Sequence, residues 1–224
     1  MRVSILQPNY IPWRGYFDFI KQSDVFVFYD DVQYTKNDWR NRNLIKTQDG
    51  AQWMTIPVDD SHRISKHLLI KDAKIVQNGW QERHLNLLEI NYKFAPYYGE
   101  VRDIMVEAFA QHKEFLSQLA VSLITKTKDF LGINCHLMLS SEIGFTELSP
   151  SDRIIAICKH LGATEYLSGD AAREYLEVDK FGGIKVLWHR YHERMYPQLW
   201  SGFVSRVSII DTLMNCGIKT RDII

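Results

Sequence analysis

The 224-residue sequence lacks the short motifs that mark many nucleotide- and metal-dependent enzymes. It contains no G-x-G-x-x-G, no G-x-x-x-x-G-K, no C-x-x-C and no H-E-x-x-H. These absences argue against a common dinucleotide-binding, P-loop or zinc-protease site. The sequence also has no apolar run of about 18 residues and starts without a secretory pattern. We therefore expect neither a transmembrane helix nor a signal peptide.

An excess of charge of one sign is also missing. Lys and Arg together number 27, Asp and Glu together number 27, and the formal net charge is zero. A general nucleic-acid binder usually carries a basic excess, so no nucleic-acid partner is expected, although tRNA as an aminoacyl donor stays open. A net charge near zero favours self-association, which leaves an oligomer open.

Cysteine is scarce. Cys135, Cys158 and Cys216 lie far apart among apolar residues. This distribution predicts reduced, buried thiols rather than disulfides or a metal site. A cytoplasmic location is the expectation that follows, since disulfides are rare in that compartment.

Short apolar runs predict the strands of a buried sheet. They are Arg2–Leu6, Val25–Tyr29, Cys135–Leu139, Thr164–Leu167 and Ile184–Trp188. Helical patterns separate several of these runs, including Gly15–Gln22 and a helix that starts at Ser151-Asp152. Strands that alternate with helices indicate an α/β fold with a largely parallel sheet in a Rossmann-like layered arrangement.

Other segments depart from this alternation. Asp49-Gly50 between strand-like runs predicts an antiparallel hairpin, and a further short strand is expected at Leu68–Ile70. Residues 78–132 are mostly helical, and their last part reads as one long helix from Ile104 to Leu131. We expect this block to be a helical insertion or cap within a single α/β domain of residues 1–224. A final helix is predicted at Val204–Cys216.

Aromatic and polar residues fill the loop after the first predicted strand. Open α/β sheets place their sites at the carboxyl ends of strands, so this loop is a candidate binding site. The proposed substrate-binding residues are Gln7, Tyr10, Trp13, Gly15 and Tyr16. Their rings offer stacking surface for a sugar or a nucleobase. The alternative is that the prolines and aromatic rings only plug the end of the sheet.

A second candidate segment follows the second predicted strand. Asp30 and Asp31 are candidate catalytic residues, since either carboxylate could act as a general base or bind a sugar hydroxyl. The segment after them contributes the binding candidates Lys36, Trp39, Arg40, Asn41 and Arg42. Guanidinium and ammonium groups suit phosphate or carboxylate, and the indole offers a stacking surface. The alternative is a solvated basic loop paired with the aspartates.

Two later loops add candidates. Ser168 and Gly169 begin a turn at a helix N-terminus, where free N–H groups can receive an anion. After the last strand, His189 or His192 is the best candidate for a proton shuttle, and Tyr196 is a candidate binding residue. No metal site is predicted, because no third ligand accompanies this pair of histidines.

The motifs together resemble the WbqC-like family from end to end. The matching stretches are Leu6–Phe17, Asp30–Tyr34, Lys36, Trp39, Asn41-Arg42, Tyr166–Gly169 and Ser208–Asp211. This resemblance implies a role in bacterial O-antigen or other surface-polysaccharide biosynthesis. It also implies transfer of an aminoacyl (glycine-type) group onto an amino sugar.

Three functions follow as hypotheses. The leading one is an acyl or aminoacyl transferase acting on an amino sugar, with a nucleotide-sugar or ATP as substrate and no certain cofactor. The second is an ATP-dependent nucleotidyl or adenylyl transferase of the HIGH-motif type. In that case Pro12–Tyr16 would occupy the place of the usual histidine motif, whose histidines are absent. The third is a non-catalytic sugar-nucleotide-binding protein.

Overall fold

The structure is a computed structural model that describes residues 1–59 and 67–224. Its strands are β1 (Arg2–Leu6), β2 (Val25–Phe28), β3 (Arg42–Thr47), β4 (Gly50–Thr55), β5 (Val58–Asp59), β6 (Lys74–Ile75), β7 (His136–Leu139), β8 (Glu165–Ser168) and β9 (Lys185–Trp188). Its α-helices are α1 (Arg14–Lys21), α2 (Trp80–Tyr92), α3 (Tyr98–Ala110), α4 (Leu116–Phe130), α5 (Ser140–Ile143), α6 (Pro150–His160), α7 (Ile209–Cys216) and α8 (Thr220–Ile223).

A five-stranded parallel sheet forms the centre of the fold, in the order β7-β2-β1-β8-β9. This confirms the predicted α/β class with a largely parallel, Rossmann-like sheet. Numbered by their order along the chain, the five strands run 3-2-1-4-5. The direction of winding therefore reverses between β1 and β8, which is the point where such sheets bind ligands.

Successive side chains of the apolar strands point to opposite faces of the sheet, and both faces are buried. In β2, Val25 and Val27 join a cluster with Ile157 of α6. Phe26 and Phe28 point into the other cluster, which includes residues of α1, α7 and the helical block. The sheet is thus covered by helices on both sides, as a layered α/β fold requires.

The predicted hairpin is confirmed as β3 and β4, which pair antiparallel around Asp49-Gly50. The predicted strand at Leu68–Ile70 is wrong. Leu69 makes a single bridge to Gln33, and a 3₁₀ turn begins at Ile70. The backbone N–H of Ile70 donates to Val32 O at 2.9 Å, so this segment seals the loop after β2 instead of joining a sheet.

The helical block consists of α2, α3 and α4, and the single long helix predicted from Ile104 to Leu131 is wrong. Its two parts are separated at residues 111–115, where His112 has φ +44°. Phe115 forms an antiparallel bridge with Lys74, an extended contact that a continuous helix would not allow. That this block is an insertion or cap stays a prediction.

Two C-terminal boundaries also differ from the sequence prediction. The last long helix starts at Ile209 rather than Val204, because Ser208 Oγ caps it by accepting the N–H of Ile210 at 3.2 Å. Upstream, Arg206 has φ +56°, which a helix does not contain. The helix expected after Ser168 and Gly169 is a 3₁₀ turn, Asp170–Glu174.

Across residues 1–59 and 67–224, no helix combines the length and apolarity needed to cross a membrane.

Candidate functional site

A cleft of about 590 Å³ opens at the carboxyl edge of the sheet. Its walls come from the loops after β1 and β8, from the segment before β3, and from the approach to α7. The lining residues are Asn9, Pro12, Trp13, Trp39, Asn43, Asp170, Ala171 and Arg206. The β1 and β8 loops flank the reversal of strand order, so the cleft occupies the position where open α/β sheets bind ligands.

Two tryptophans and a few polar groups define the chemistry of the cleft. Trp13 and Trp39 supply aromatic surface, and the Trp39 side chain is 43% exposed. Asn9 Oδ1 is buried yet has no hydrogen-bond partner within the described part of the chain. Buried polar atoms almost always have a partner, so this carbonyl is available to a ligand or a water molecule. Asp170 and Arg206 add one group of each charge.

Trp13 is held against the start of α1 by the absence of a side chain at residue 15. A Cβ placed on Gly15 would lie 2.4 Å from Cη2 of the Trp13 indole, closer than real Cβ atoms approach. The backbone of Trp13 bridges to Ser208, and its ring meets the Tyr191 ring edge-to-face at 5.0 Å. Gly15, a predicted site residue, thus acts by shaping the position of Trp13.

The structure brings the first loop and the basic segment together. The Tyr10 N–H donates to Trp39 O at 3.0 Å, and Asn43 Nδ2 donates to Tyr10 O at 3.1 Å. The Tyr10 ring itself is fully buried, and its hydroxyl bonds His84 Nδ1 on α2 at 2.8 Å. Burial lowers the pKa of His84 to about 4, so this imidazole is neutral near pH 7. Tyr10 therefore anchors the loop and does not line the cleft.

Gln7 and Tyr16 lie behind the cleft wall. The Tyr16 hydroxyl donates to Gln7 O at 3.0 Å, and burial raises the pKa of Tyr16 well above its ordinary value. Gln7 Oε1 is buried and, among the residues that the structure describes, has no partner. Both predicted binding residues thus support the loop, and the cleft lining includes neither of them.

The basic segment divides into structural and exposed groups. Arg40 bonds Asp38 and Thr35, and burial lowers its pKa. Asn41 is buried and its Nδ2 donates to Ile56 O at 3.0 Å. The guanidinium of Arg42 lies over the Trp53 ring at 4.2 Å, and Lys36 is exposed.

The two adjacent aspartates converge on the end of β7. Asp30 Oδ1 accepts bonds from Ser140 Oγ and Ser141 N, both at 3.1 Å, and Asp30 Oδ2 accepts from Ser141 Oγ at 2.8 Å. Asp31 bonds the Ser140 hydroxyl and forms a buried ion pair with Arg153 of α6. These contacts tie β2 to β7 and α6. The catalytic assignment of Asp30 and Asp31 stays a prediction.

His189 forms a dyad with Asp18, a residue that the sequence analysis did not select. His189 Nε2 lies 2.7 Å from Asp18 Oδ2, and the imidazole stacks on Phe19 at 3.7 Å between centroids. Burial raises the pKa of Asp18, but hydrogen bonds to His189 and Gln22 outweigh it and leave the pKa below its usual value. Asp18 lies in α1 and His189 follows β9, so only the folded chain reveals the pair. His192 is exposed.

Ser168 and Gly169 lie at the end of β8 beside this dyad. Ser168 is buried and its carbonyl accepts the N–H of His189 at 2.8 Å. Gly169 leads into the 3₁₀ turn whose first residues, Asp170 and Ala171, line the cleft. The predicted turn is therefore at the site, although the wall itself comes from the next two residues.

Tyr196 belongs to a buried polar network. Its hydroxyl donates to Asp211 Oδ1 at 2.6 Å, Gln198 Nε2 donates to the same oxygen at 2.8 Å, and Tyr92 donates to Oδ2 at 2.8 Å. Burial raises the pKa of Asp211. The Arg14 guanidinium lies over the Tyr196 ring at 4.5 Å. This network fastens the loop after β9 to α2 and α7, and it places Tyr196 outside the cleft lining.

A larger groove of about 900 Å³ lies on the helical block. It is wide open to solvent, and its lining residues all lie between Ile75 and Glu114. None of the strand-end loops contributes to it, so we assign the candidate site to the smaller cleft. Among residues 1–59 and 67–224, no group of three or more His, Cys, Asp and Glu side chains is arranged to hold a metal ion.

The comparisons with known proteins match nearly the whole chain. The family model described as the WbqC-like protein family matches residues 7–223. The uncharacterized protein Rv1507c of Mycobacterium tuberculosis (strain ATCC 25618 / H37Rv) is 40% identical over 225 residues, covering 99% of this chain and 96% of the relative. No solved structure matches the chain. All the residues that line the cleft lie within the matched region.

Proposed function

We propose that this chain, which belongs to the WbqC-like protein family, transfers an acyl or aminoacyl group onto the amino group of a sugar. The acceptor is a nucleotide-linked amino sugar, and the product enters a bacterial surface polysaccharide such as O-antigen. The transferred group is of the glycine type. The observation that carries the proposal is the tryptophan-lined cleft at the reversal of strand order.

The lining of the cleft suits a sugar. Pyranose rings present apolar C–H faces that pack on aromatic rings, and Trp13 and Trp39 supply such rings. The Asn9 amide can bond the hydroxyl groups through its unpaired carbonyl. Asp170 suits an ammonium group and Arg206 suits a phosphate, so the charged groups match an amino sugar linked to a nucleotide.

His189 is the proposed general base. Asp18 holds Nε2, so Nδ1, which has no hydrogen-bond partner in the described residues, is left to take a proton. The amine nitrogen of the sugar attacks the acyl carbon of an activated ester or thioester donor. A C–N bond forms and the C–O or C–S bond of the donor breaks. His189 accepts the amine proton and then passes it to the leaving group.

Mass spectrometry tests this reaction directly. The protein is incubated with UDP- or dTDP-linked amino sugars and with acyl or aminoacyl donors, and the acceptor is expected to gain the mass of the acyl group. His189→Gln should lower kcat by about 10²- to 10⁴-fold, the usual contribution of a general base. His136→Gln is the matched control, since His136 is exposed and begins β7 at the opposite edge of the sheet.

Two results would contradict the proposal. Full activity in His189→Gln would remove the assignment of the base. Binding of the sugar nucleotide without turnover of any donor would favour the non-catalytic sugar-nucleotide-binding alternative.

The strand order favours a second candidate, an ATP-dependent nucleotidyl or adenylyl transferase of the HIGH-motif type. Its loop after β1 would meet the nucleotide at the same reversal of strand order. Arg14, the cation that begins α1 directly after that loop, is buried and donates to Arg194 O at 2.8 Å and to Glu193 at 3.3 Å, which leaves it poorly placed for phosphate. Release of pyrophosphate from ATP in the presence of the acceptor would support this candidate over acyl transfer.

A further inference from the structure

Two exposed tryptophans and an arginine form an aromatic and cationic surface next to the cleft. Trp39 and Trp53 have ring centroids 5.5 Å apart, and the Arg42 guanidinium lies 4.2 Å from the centre of the Trp53 ring. The two indoles are 43% and 41% exposed. We call Trp39, Trp53 and Arg42 the indole shelf.

The register of the hairpin explains how the shelf forms. Arg42 pairs with Thr55 and Leu44 pairs with Trp53, so Arg42 and Trp53 are diagonal neighbours on one face. Alternation along the strands turns the opposite face inward, where Ile45 and Met54 are buried. Trp53 therefore lies on the outward face of the hairpin, and packing in the core does not explain a tryptophan at this position.

Several properties of the shelf indicate a planar, anionic ligand. The indole planes are tilted by 43°, and large parts of both rings stay open to solvent. The Arg42 Nε atom is buried without a partner within the described ranges, so the guanidinium has unused hydrogen-bonding capacity. Aromatic rings bind nucleobases by stacking, and a guanidinium suits phosphate oxygens.

The shelf and the cleft are continuous through Trp39. This residue lines the cleft and also contacts Trp53. A ligand that fills both places would have a planar group and a negative charge on the shelf, and a second ring in the cleft. A nucleoside diphosphate joined to a sugar carries these groups.

We propose that the indole shelf is a binding subsite for the nucleoside diphosphate, with the base stacked on Trp53 and Trp39 and the diphosphate bound by Arg42. This assignment extends the proposed function, because placing the sugar end of the same molecule in the cleft depends on that function. Binding of the nucleoside diphosphate itself depends only on the shelf.

The tryptophan side chains allow a site-resolved test with UDP alone as the probe. The chain has six tryptophans, so the indole N–H region of an NMR spectrum of the ¹⁵N-labelled protein should be simple, and Trp39→Phe and Trp53→Phe identify two of the signals. UDP is expected to shift the Trp39 and Trp53 signals. Trp53→Ala and Arg42→Gln should each weaken UDP binding by between about fivefold and a hundredfold, the range of one lost stack or charged contact.

Controls separate the shelf from other surfaces and from the proposed function. Gln52→Ala changes an exposed neighbour of Trp53 on β4 and should leave UDP affinity unchanged. Equal UDP affinity in the wild type and Trp53→Ala would overturn the shelf assignment, as would single-stranded RNA binding there far more tightly than UDP. If UDP binds the shelf but no amino-sugar nucleotide is acylated, the shelf assignment stands and the proposed function fails.

Discussion

Substitution of Gly15 probes how the wall of the cleft is built. In Gly15→Ala the new methyl group would lie 2.4 Å from Cη2 and Cζ2 of Trp13, so the indole must move. Overpacking of this kind costs about 1–3 kcal/mol. Alanine gains up to about 1 kcal/mol over glycine inside a helix, and Gly15 is the second residue of α1. We therefore expect Gly15→Ala to lower the free energy of unfolding by roughly 0.5–2 kcal/mol.

The effect of Gly15→Ala on the free energy of unfolding should change sign when the Trp13 indole is removed. In a Trp13→Ala background no ring opposes the new methyl group, so Gly15→Ala should stabilise the protein by about 0.5–1 kcal/mol. Urea denaturation of the four proteins of this double-mutant cycle gives the coupling between residues 13 and 15, which we expect to be about 1–3 kcal/mol. An equal effect of Gly15→Ala in both backgrounds would refute the contact.

Two further predictions concern the support around the site. Arg153→Met leaves the buried Asp31 carboxylate without its ion-pair partner and should lower the free energy of unfolding by about 3–5 kcal/mol. The double variant Asp31→Asn/Arg153→Met should recover part of this loss. A loss below about 1 kcal/mol in Arg153→Met would show that the pair is not buried. Burial lowers the pKa of His84 to about 4, so the unfolded chain takes up a proton at pH 6.5 and below while the folded chain does not. Stability should therefore fall by up to about 3 kcal/mol between pH 6.5 and pH 4 relative to His84→Gln, and parallel pH profiles of the two proteins would contradict a neutral, buried imidazole.

The sheet was predictable because its strands bury side chains on both faces. Val25–Phe28 is apolar at every position, and such runs read as central parallel strands without knowledge of their neighbours. Asp49-Gly50 predicted the hairpin for an equally local reason, since it supplies the turn. Boundaries set by distant contacts were not predictable. Phe115 breaks the helical block because it bridges to Lys74, a residue about forty positions away.

The candidate site shows the same division. Composition selected the loop after β1 and the segment before β3, and Trp13 and Trp39 do line the cleft. Polar-tipped aromatic rings such as Tyr10 could not be told from pocket residues, because the partner of Tyr10 is His84 on a separate helix. Trp53 was not among the candidates, because its position beside Arg42 depends on the register of the hairpin.

Asp18 illustrates a residue that sequence patterns do not mark. On α1 it looks like an ordinary solvent-facing carboxylate, and only the packing of α1 against the end of β9 brings it to His189. Arg206 is similar, since an isolated arginine before α7 gives no sign that it lies at a cleft between two strand loops.

Isothermal titration of a UDP-linked amino sugar into the wild type and into Trp13→Ala tests whether the cleft between the β1 and β8 loops holds the sugar. Loss of the Trp13 stacking surface should weaken binding by at least about tenfold, whereas UDP alone, held on the indole shelf, should bind both proteins equally. An unchanged affinity for the sugar nucleotide in Trp13→Ala would show that the cleft does not hold the sugar.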